Sequence, residues 1–366
     1  MELPLVFELQ SPVAARATVN GREVDYFNGC SYLGLQNHPM LLQAAADGLK
    51  KYGISIATST LGHSVYKELA EEACAYFDEE QILYFASGYL GMVTMAQGLM
   101  AQYEHIFIDE EAHSSVWDGA RSTGKPITSF KHCDAEDLAE VCQNTLKNGE
   151  RPLVLSDGVF PVSGEIAPAL DYLKIVDDYD GHLCLDDAHS VGVLGENGRG
   201  TLEHYGITSQ RCHTICTLSK ALGTYGGLIA GDNNLIQTLR DNSRVYVGAT
   251  NPPLPIAAAA HQALIMVRTN PDLRHQLQKN VRQARNGLRK LGWPLPDNSV
   301  PIICLAARPG MDLAQIQAKL FDKNICISYV QDYSSVPEGG ALRIAIFATH
   351  TSDQIDRLVN EIKQAI

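Results

Sequence analysis

Apolar residues in the first two thirds of the chain follow two alternating patterns. Short, nearly continuous apolar runs predict buried strands. Longer segments with apolar positions every three or four residues predict helices, as over 64–78 and 88–100. The predicted strands are 82–85, 105–108, 152–156, 182–186, 213–217 and 227–230. Buried strands between helices indicate an α/β fold with a mostly parallel sheet covered on both faces.

A second set of elements is predicted after Asn251-Pro252-Pro253, where prolines interrupt the chain. The helices predicted there are 256–268, 272–291, 312–322 and 352–365, and the strands are 300–306, 325–330 and 341–347. These elements form a second, smaller α/β unit. We therefore predict an N-terminal arm over 1–38, a large domain over 39–255 and a small C-terminal domain over 256–366.

Composition and charge restrict the class of protein. The 366 residues are 45% hydrophobic and 19% charged, which is typical of globular proteins and excludes a disordered or collagen-like chain. The 29 Lys and Arg residues against 42 Asp and Glu leave a net charge of −13. This charge argues against a nucleic-acid partner and against binding to an anionic membrane surface.

The cysteines and the apolar runs bear on the compartment. Nine cysteines are irregularly spaced with no Cys-x-x-Cys pair, which favours buried thiols in a reducing cytoplasm over disulfides or a zinc site. The segment MELPLVFELQ lacks the basic leader of a signal peptide. No apolar run approaches the roughly 18 residues of a membrane span. We therefore expect a cytoplasmic protein without a membrane span.

Two polar segments lie at predicted carboxyl ends of strands, where parallel sheets bind their ligands. Ser87, Gly88 and Tyr89 lead from a strand into a helix. Backbone N–H groups there can bind an anion, or Ser87 simply caps the helix. Asp186 and His189 follow another buried strand. Asp186 can keep a cationic nitrogen protonated, cap a helix or bind a metal, although a single nearby His disfavours the metal.

Three further side chains can carry chemistry. Lys220 follows a buried strand in a glycine-lined turn, so it is either a partly desolvated amine that attacks carbonyl groups or an exposed loop residue. His113 either packs flat against a planar cofactor or begins a helix. Arg343 is a cation within an apolar strand and needs an anion, from the protein or from a substrate. Together these groups suit pyridoxal phosphate. The Lys220 amine can form an imine with its aldehyde, the Asp186 carboxylate can pair with its pyridine nitrogen, and the backbone at 87–89, the anion cradle, can bind its phosphate.

A family resemblance is carried by seven short segments in a fixed order. They are SYLGL at 31–35, SGY at 87–89, EAHSS at 111–115, DGVF at 157–160, DDAHSVG at 186–192, GRG at 198–200 and TLSKALG at 217–223. From about Tyr26 to the C-terminus the chain resembles the α-oxoamine synthases, which are pyridoxal-phosphate enzymes of fold type I. The resemblance implies an aspartate-aminotransferase-like fold with a mostly parallel central sheet and a smaller C-terminal α/β domain.

The resemblance also implies roles for individual residues. Lys220 carries the cofactor as an imine, Asp186 pairs with the pyridine nitrogen and His189 approaches the 3-oxygen of the ring. The remaining implied contacts are His113 stacked on the ring, Ser87, Gly88, Tyr89 and Thr217 at the phosphate, Thr250 near the partner's phosphate, and Arg343 at the amino-acid carboxylate. Family members work as homodimers with active sites at the interface.

The implied activity is a decarboxylative condensation of an amino acid with acyl-CoA or an acyl-carrier thioester. Three positions depart from the pattern of many members. Cys30 stands where they have Asn, Pro161 where they have Ser, and Gly248-Ala249 where they have Ser or Thr. Two alternatives therefore stay open. One is another pyridoxal-phosphate reaction, namely transamination, racemisation or retro-aldol cleavage, and the other is a non-catalytic protein that keeps the fold.

Overall fold

The computed structural model of the chain describes residues 7–57 and 62–366. Its strands are β1 (Arg16–Val19), β2 (Arg22–Tyr26), β3 (Gln81–Phe85), β4 (His105–Asp109), β5 (Ile127–Phe130), β6 (Pro152–Asp157), β7 (His182–Asp186), β8 (Cys212–Thr217), β9 (Gly227–Gly231), β10 (Ile302–Ala306), β11 (Ile325–Cys326), β12 (Ser328–Val330) and β13 (Ala341–Ala345). Its helices are α1 (Pro39–Tyr52), α2 (Ser64–Phe77), α3 (Gly91–Gly98), α4 (Ser114–Arg121), α5 (Ala135–Thr145), α6 (Ala169–Asp178), α7 (Thr201–Tyr205), α8 (Asn233–Asn242), α9 (Arg244–Gly248), α10 (Leu254–Thr269), α11 (Asp272–Lys290), α12 (Leu313–Asp322) and α13 (Ser352–Ala365).

The larger of two compact units comprises residues 39–160 and 166–269. It contains a seven-stranded sheet in the order β3-β9-β8-β7-β6-β4-β5. The pairs from β8 across to β5 are parallel, whereas β9 is antiparallel to both β3 and β8. The mostly parallel sheet predicted from the apolar runs is therefore confirmed.

Two apolar cores cover the two faces of this sheet. Consecutive strand residues alternate between them: Ile106 and Leu153 belong to one core, and their neighbours Phe107 and Val154 to the other. Successive side chains of a strand point to opposite faces. A strand that is buried on both faces therefore reads as a continuous apolar run, which is why these strands were visible in the sequence.

The smaller unit comprises residues 1–38, 161–165 and 270–366. It holds one sheet in the order β1-β2-β11 and another, antiparallel, in the order β10-β13-β12. Strand β2 pairs in parallel with β11, so the segment 1–38, which we expected to be a separate arm, belongs to this unit. The first six residues of that segment lie outside the described residues.

The sequence suggested that the large domain ends at residue 255. In the structure, the larger unit continues to Thr269. Helix α10 belongs to the larger unit because its small, apolar face packs on α1. A Cβ atom added at Gly48 in α1 would lie 2.9 Å from the Cβ of Ala258. Close helix packing of this kind depends on residues far apart in the chain, so the apolar periodicity of α10 did not reveal its partner.

Two element predictions were wrong in detail. The strand expected over 325–330 is split, because β11 pairs with β2 whereas β12 pairs with β13. The helix expected over 88–100 begins with a 3₁₀ turn, Gly88–Leu90, and ends at Gly98. Within the described residues, no helix combines the length and the apolarity needed to cross a membrane.

Candidate active site

Two buried carboxyl groups lie side by side at one edge of the larger sheet. Asp157 ends β6 and Asp186 ends β7, and the two residues are partners in the parallel register. Their exposed fractions are only 2% and 5%. Placing two acids here is costly unless hydrogen bonds, cations or a retained proton compensate them. This edge is also where ligands bind in open α/β sheets.

Asp186 has several groups that favour its ionised form. Its Oδ1 accepts a hydrogen bond from the Ala188 N–H at 3.0 Å, and its Oδ2 accepts one from the Ser115 hydroxyl at 3.4 Å. Burial raises the pKa of Asp186, and the nearby positive charge of Lys220 is the largest opposing effect. We therefore assign the negative charge of the two acids to Asp186.

Asp157 has less compensation than its neighbour. Its Oδ2 accepts a hydrogen bond from the backbone N–H of His113 at 2.8 Å. Burial, and then the charge of Asp186, raise the pKa of Asp157 well above its ordinary value. Burial and the neighbouring charge therefore oppose ionisation of Asp157 more strongly than that of Asp186, and Asp157 ties the loop of His113 to the end of β6.

Lys220 lies in the turn between β8 and β9, and its amine reaches a buried imidazole. Lys220 Nζ is 2.7 Å from Nε2 of His189, which is 4% exposed. The turn is closed by backbone hydrogen bonds, and Gly223 adopts a φ of +69°, a conformation that suits glycine. The fold thus presents a half-buried amine toward the loop that follows Asp186.

His113 is held as the N-terminal cap of α4. Its Nδ1 accepts a hydrogen bond from the Ser115 N–H at 3.2 Å and lies 2.7 Å from the Ser115 hydroxyl. Burial lowers the pKa of His113 from 6.5, so the imidazole is neutral at pH 7. Ser115 therefore connects His113 to Asp186, because the same hydroxyl contacts both side chains.

The predicted anion cradle lies where β3 and β8 end. The Ser87 hydroxyl caps the 3₁₀ turn by accepting from the Tyr89 N–H at 3.3 Å. Gly88 approaches Thr217 so closely that an added Cβ would lie 2.5 Å from the threonine Cβ. The Thr217 hydroxyl is 2.7 Å from that of Ser219. A glycine is required at position 88 because backbone and threonine occupy the space of a side chain.

Tyr89 lies beside the predicted ring-stacking residue. Its ring packs edge-on against His113 with 6.1 Å between centroids, and its hydroxyl donates to Asp118 Oδ2 at 2.6 Å. Thr250, in contrast, is exposed between α9 and α10. Within the described residues, no hydrogen bond joins it to Ser87, Tyr89, His113 or Thr217.

Arg343 belongs to the smaller unit, where it lies in the middle of β13 and is 8% exposed. Its Nε donates to the Pro161 carbonyl at 2.7 Å and its Nη1 donates to the Gly29 carbonyl at 3.0 Å. Its Nη2 contacts Cys30 Sγ at 3.6 Å. Two of the positions that depart from the family pattern, 30 and 161, therefore contact this arginine.

Sequence reasoning assigned no role to Asp157 or Ser115. Asp157 ends an apolar strand in the same manner as Asp186 does, and that shared position was the available signal. Ser115 gave no comparable signal, because its link to Asp186 spans 71 positions in the chain.

Two other acidic positions near strand ends have structural roles. Asp187 is fully buried and accepts hydrogen bonds from the backbone and side chain of Thr201, and burial raises its pKa to about 6. Asp109, His132 and Cys133 bring three potential metal ligands within 4.8 Å of one another. The Asp109 carboxylate already accepts the N–H groups of Glu111 and Cys133 and contacts His132 at 3.0 Å. These bonds account for Asp109 as a loop anchor.

Comparison with known proteins identifies the family. The profile of the class I and II aminotransferases matches residues 28–362. The chain belongs to this family. It is 35% identical over 353 residues to 8-amino-7-oxononanoate synthase of Thioalkalivibrio sulfidiphilus, covering 95% of this chain and 90% of that protein. It is 34% identical over 363 residues to 8-amino-7-oxononanoate synthase of Nitrosococcus oceani, covering 98% and 96%.

Solved structures share the fold of this chain. A serine palmitoyltransferase variant from S. paucimobilis, with a bound PLP–myriocin aldimine, superposes with a TM-score of 0.91 at 23% identity. The match covers 99% of this chain and 92% of that one. At this identity the likeness shows the fold. The resemblance and the fold class predicted from the sequence are both confirmed.

Proposed function

We propose that this aminotransferase-family protein is a pyridoxal-phosphate-dependent C-acyltransferase. It condenses an amino acid with an acyl thioester, with loss of carbon dioxide, to give an α-oxoamine. The relatives named 8-amino-7-oxononanoate synthase, which align over nearly the full chain, support this activity. The observation that carries it is the contact of Lys220 Nζ with His189 at 2.7 Å, beside the buried Asp186.

The residues at the sheet edge fit the cofactor group by group. Asp186 is a buried carboxylate for which a protonated ring nitrogen is a suitable partner. Lys220 offers an amine for the aldehyde carbon. At the phosphate, Gly88 lets the backbone approach Thr217 where a side chain would clash. Each of these properties follows from the geometry of the larger unit alone.

When bound, pyridoxal phosphate supplies an aldehyde carbon for amines and a ring that withdraws electrons from the substrate's α-carbon. Asp186 keeps the ring nitrogen protonated and so maintains that electron demand. Lys220 takes the α-proton onto Nζ and later returns a proton. His189 holds the Lys220 amine in position through its Nε2 atom.

The neutral imidazole of His113 provides a flat surface for the ring. Ser115 fixes its orientation from one side and Asp157 fixes its backbone from the other. A neutral ring suits this place because a second cation beside Lys220 would be repelled. We propose Arg343 as the cation that binds the amino-acid carboxylate, since a guanidinium can hold a carboxylate through two parallel hydrogen bonds.

The test uses the holoenzyme with glycine, alanine or serine, each with and without acyl-CoA. Thioester-dependent release of the CoA thiol, together with the aminoketone identified by mass spectrometry, is the expected result. Conversion of the amino acid without thioester would instead support a transaminase, racemase or aldolase. A protein that binds cofactor but shows no absorbance change with any amino acid would support a non-catalytic role.

The acyl carrier is the finer part of this proposal. Acyl-CoA and an acyl-carrier protein bearing the same acyl chain present the same thioester. We expect the free CoA ester to suffice. A rate at least about tenfold higher with the carrier protein, at equal thioester concentration, would reverse that choice.

We also propose a cytoplasmic homodimer. Large apolar side chains are about half exposed or more on α1, just after it and on α9, namely Met40, Leu42, Leu49, Ile54 and Val247. Such surface suits a protein interface. None of the nine cysteines forms a disulfide within the described residues, which suits a reducing compartment. Light scattering during gel filtration should give twice the 39.9 kDa of the chain, and replacing Leu42 and Val247 with Lys should give a monomer.

A further inference from the structure

Arg343 is a buried cation that pairs with no carboxylate among the described residues. Its exposed fraction is 8%. Within residues 7–57 and 62–366, no carboxylate oxygen lies within 4.0 Å of its nitrogen atoms. A guanidinium that is removed from water needs a negative charge nearby, since hydrogen bonds to neutral groups offset only part of the lost hydration.

Four groups contact this guanidinium directly. Two of them are the neutral carbonyl oxygens of Pro161 and Gly29, at 2.7 and 3.0 Å. The third is the thiol of Cys30, whose Sγ atom lies 3.6 Å from Nη2. The fourth is the hydroxyl of Tyr32, which is hydrogen-bonded to the arginine. Of these four groups, only the thiol and the phenol can become anions.

Two tyrosines near Arg343 stay neutral. Burial raises the pKa of Tyr26 to about 12 and that of Tyr32, which is fully buried, well above 10. The Tyr32 side chain is also hydrogen-bonded to Cys30 and Arg343. At pH 7 to 9 the two hydroxyls act as hydrogen-bonding groups and leave the cation uncompensated.

Where the structure describes the chain, the strands next to Arg343 place no anion in contact with it. Cys304 is its register partner on β10, and burial, reinforced by the charge of Glu165, raises the pKa of that thiol to about 11. Burial raises the pKa of Cys326, on β11, to about 12. Ser328 is the register partner of Arg343 on β12, and its hydroxyl does not ionise between pH 7 and 9. Cys30 is therefore the remaining source of negative charge.

We propose that the Cys30 thiolate is the counter-ion of Arg343 until the carboxylate of an amino-acid substrate takes its place. This inference rests on the proposed function in one respect, namely that Arg343 binds that carboxylate. When the carboxylate binds, the thiolate takes up one proton from solvent and becomes a neutral thiol. Cys30 is thereby a reactive thiol that substrate protects.

The proposed pH dependence of carboxylate binding comes from the side chain at position 30. Where many members of the α-oxoamine synthase family have Asn, this chain has Cys30. An amide is neutral at every accessible pH, whereas a thiol beside a guanidinium ionises more readily than a free one. Carboxylate binding is therefore expected to depend on pH in this chain and to lose that dependence when Asn replaces Cys30.

The first experiment measures alkylation of the holoenzyme by iodoacetamide at pH 7, with each cysteine followed by peptide mass spectrometry. The Cys30 thiolate displaces iodide and forms a carbon–sulfur bond. Cys74, which is also partly exposed but whose pKa is raised by burial, is the internal control. We expect Cys30 to react at least about tenfold faster than Cys74. Equal rates would overturn the proposal.

A matched pair of variants tests the contact itself. Arg343→Gln removes the charge and should slow alkylation of Cys30 about tenfold at pH 7, whereas Arg343→Lys keeps the charge and should retain most of the rate. The Cys74 rate and the circular dichroism spectrum report whether each variant is folded. An unchanged rate of Cys30 alkylation in folded Arg343→Gln would contradict the ion pair between Cys30 and Arg343. If that variant does not fold, the pH dependence of Cys30 alkylation in the wild type decides: an apparent pKa of about 8.5 or higher overturns the pairing.

The second experiment separates this inference from the proposed function. Saturating alanine should slow Cys30 alkylation at least about fivefold, and KM for the amino acid should rise from pH 6.5 to 8.5 in the wild type but stay flatter in Cys30→Asn, with kcat little changed. Equal pH profiles would overturn the substrate exchange. Absence of CoA release in the wild type would defeat the proposed function, while fast, Arg343-dependent alkylation would still support the ion pair.

Discussion

The two units assemble their functional groups in different ways. In the larger unit, Asp157, Asp186 and Lys220 come from the ends of adjacent parallel strands or the turn that follows. In the smaller unit, Arg343 is contacted by Gly29, which lies 314 positions away in the chain, and by Pro161. Strand ends can be recognised from a local pattern, whereas a pocket built from distant segments cannot. The sequence therefore indicated the group of residues at the strand ends of the larger unit, but it indicated Arg343 only as an isolated cation.

The largest expected effect concerns Lys220. On the proposed function, Lys220→Ala removes the amine assigned to cofactor binding and to transfer of the α-proton, so the rate of CoA release should fall by about 10³-fold or more. The matched control is Lys147→Ala, at a side chain that is 87% exposed, which should retain wild-type activity. Wild-type turnover in folded Lys220→Ala would remove the basis of the site.

The second effect contrasts the two acids at the ends of β6 and β7. Asp186→Asn removes the charge that we propose keeps the ring nitrogen of the cofactor protonated, so kcat should fall about 10²–10³-fold. Asp157→Asn introduces a neutral amide of similar shape at a position where burial and the charge of Asp186 already oppose ionisation, so kcat should stay within about fivefold of the wild type. The opposite ranking would show that the charge resides on Asp157.

A third effect tests the close approach at the cradle. Gly88→Ala forces a side chain against Thr217, where 2.5 Å is available between the Cβ atoms, so the affinity for pyridoxal phosphate should fall roughly tenfold or more. Gly62→Ala is the control, since no atom of the described residues lies within 4 Å of its added Cβ. Equilibrium dialysis of both variants gives the affinities. Equal binding would place the phosphate elsewhere.

The smallest effect lies at the other end of the same strands. His182 and His213, at the start of β7 and in β8, are 3.1 Å apart, and burial lowers their pKa values to about 4 and about 3. Because the unfolded chain binds these protons near pH 6.5 and the folded chain does not, stability should fall as pH drops from 6.5 toward 4. The slope is roughly 1.4 kcal/mol per pH unit for each imidazole.

Urea unfolding at pH 7, 6 and 5 measures this loss. His213→Gln, which cannot be protonated, should flatten the dependence by about one imidazole's share. An unchanged slope in that variant would assign the pH dependence to other groups.

The sequence by itself determined the candidate residues at the carboxyl ends of the buried strands. Buried strands read as apolar runs, and the polar residues that end them, such as Asp186 and Lys220, identified the edge of the sheet and the family. Local periodicity and short motifs are properties of neighbouring residues, so they survive without a structure. The confirmed fold class and the agreement with named relatives follow from that local information.

Only the tertiary structure decided which groups share an environment. It paired Asp157 with Asp186, joined the segment before His38 to the smaller unit through β2 and β11, and surrounded Arg343 with Cys30 and neutral carbonyls. Each of these depends on register and packing between segments far apart in the chain. The protonation of a buried group is set by all its neighbours together, and those neighbours exist only once the chain has folded.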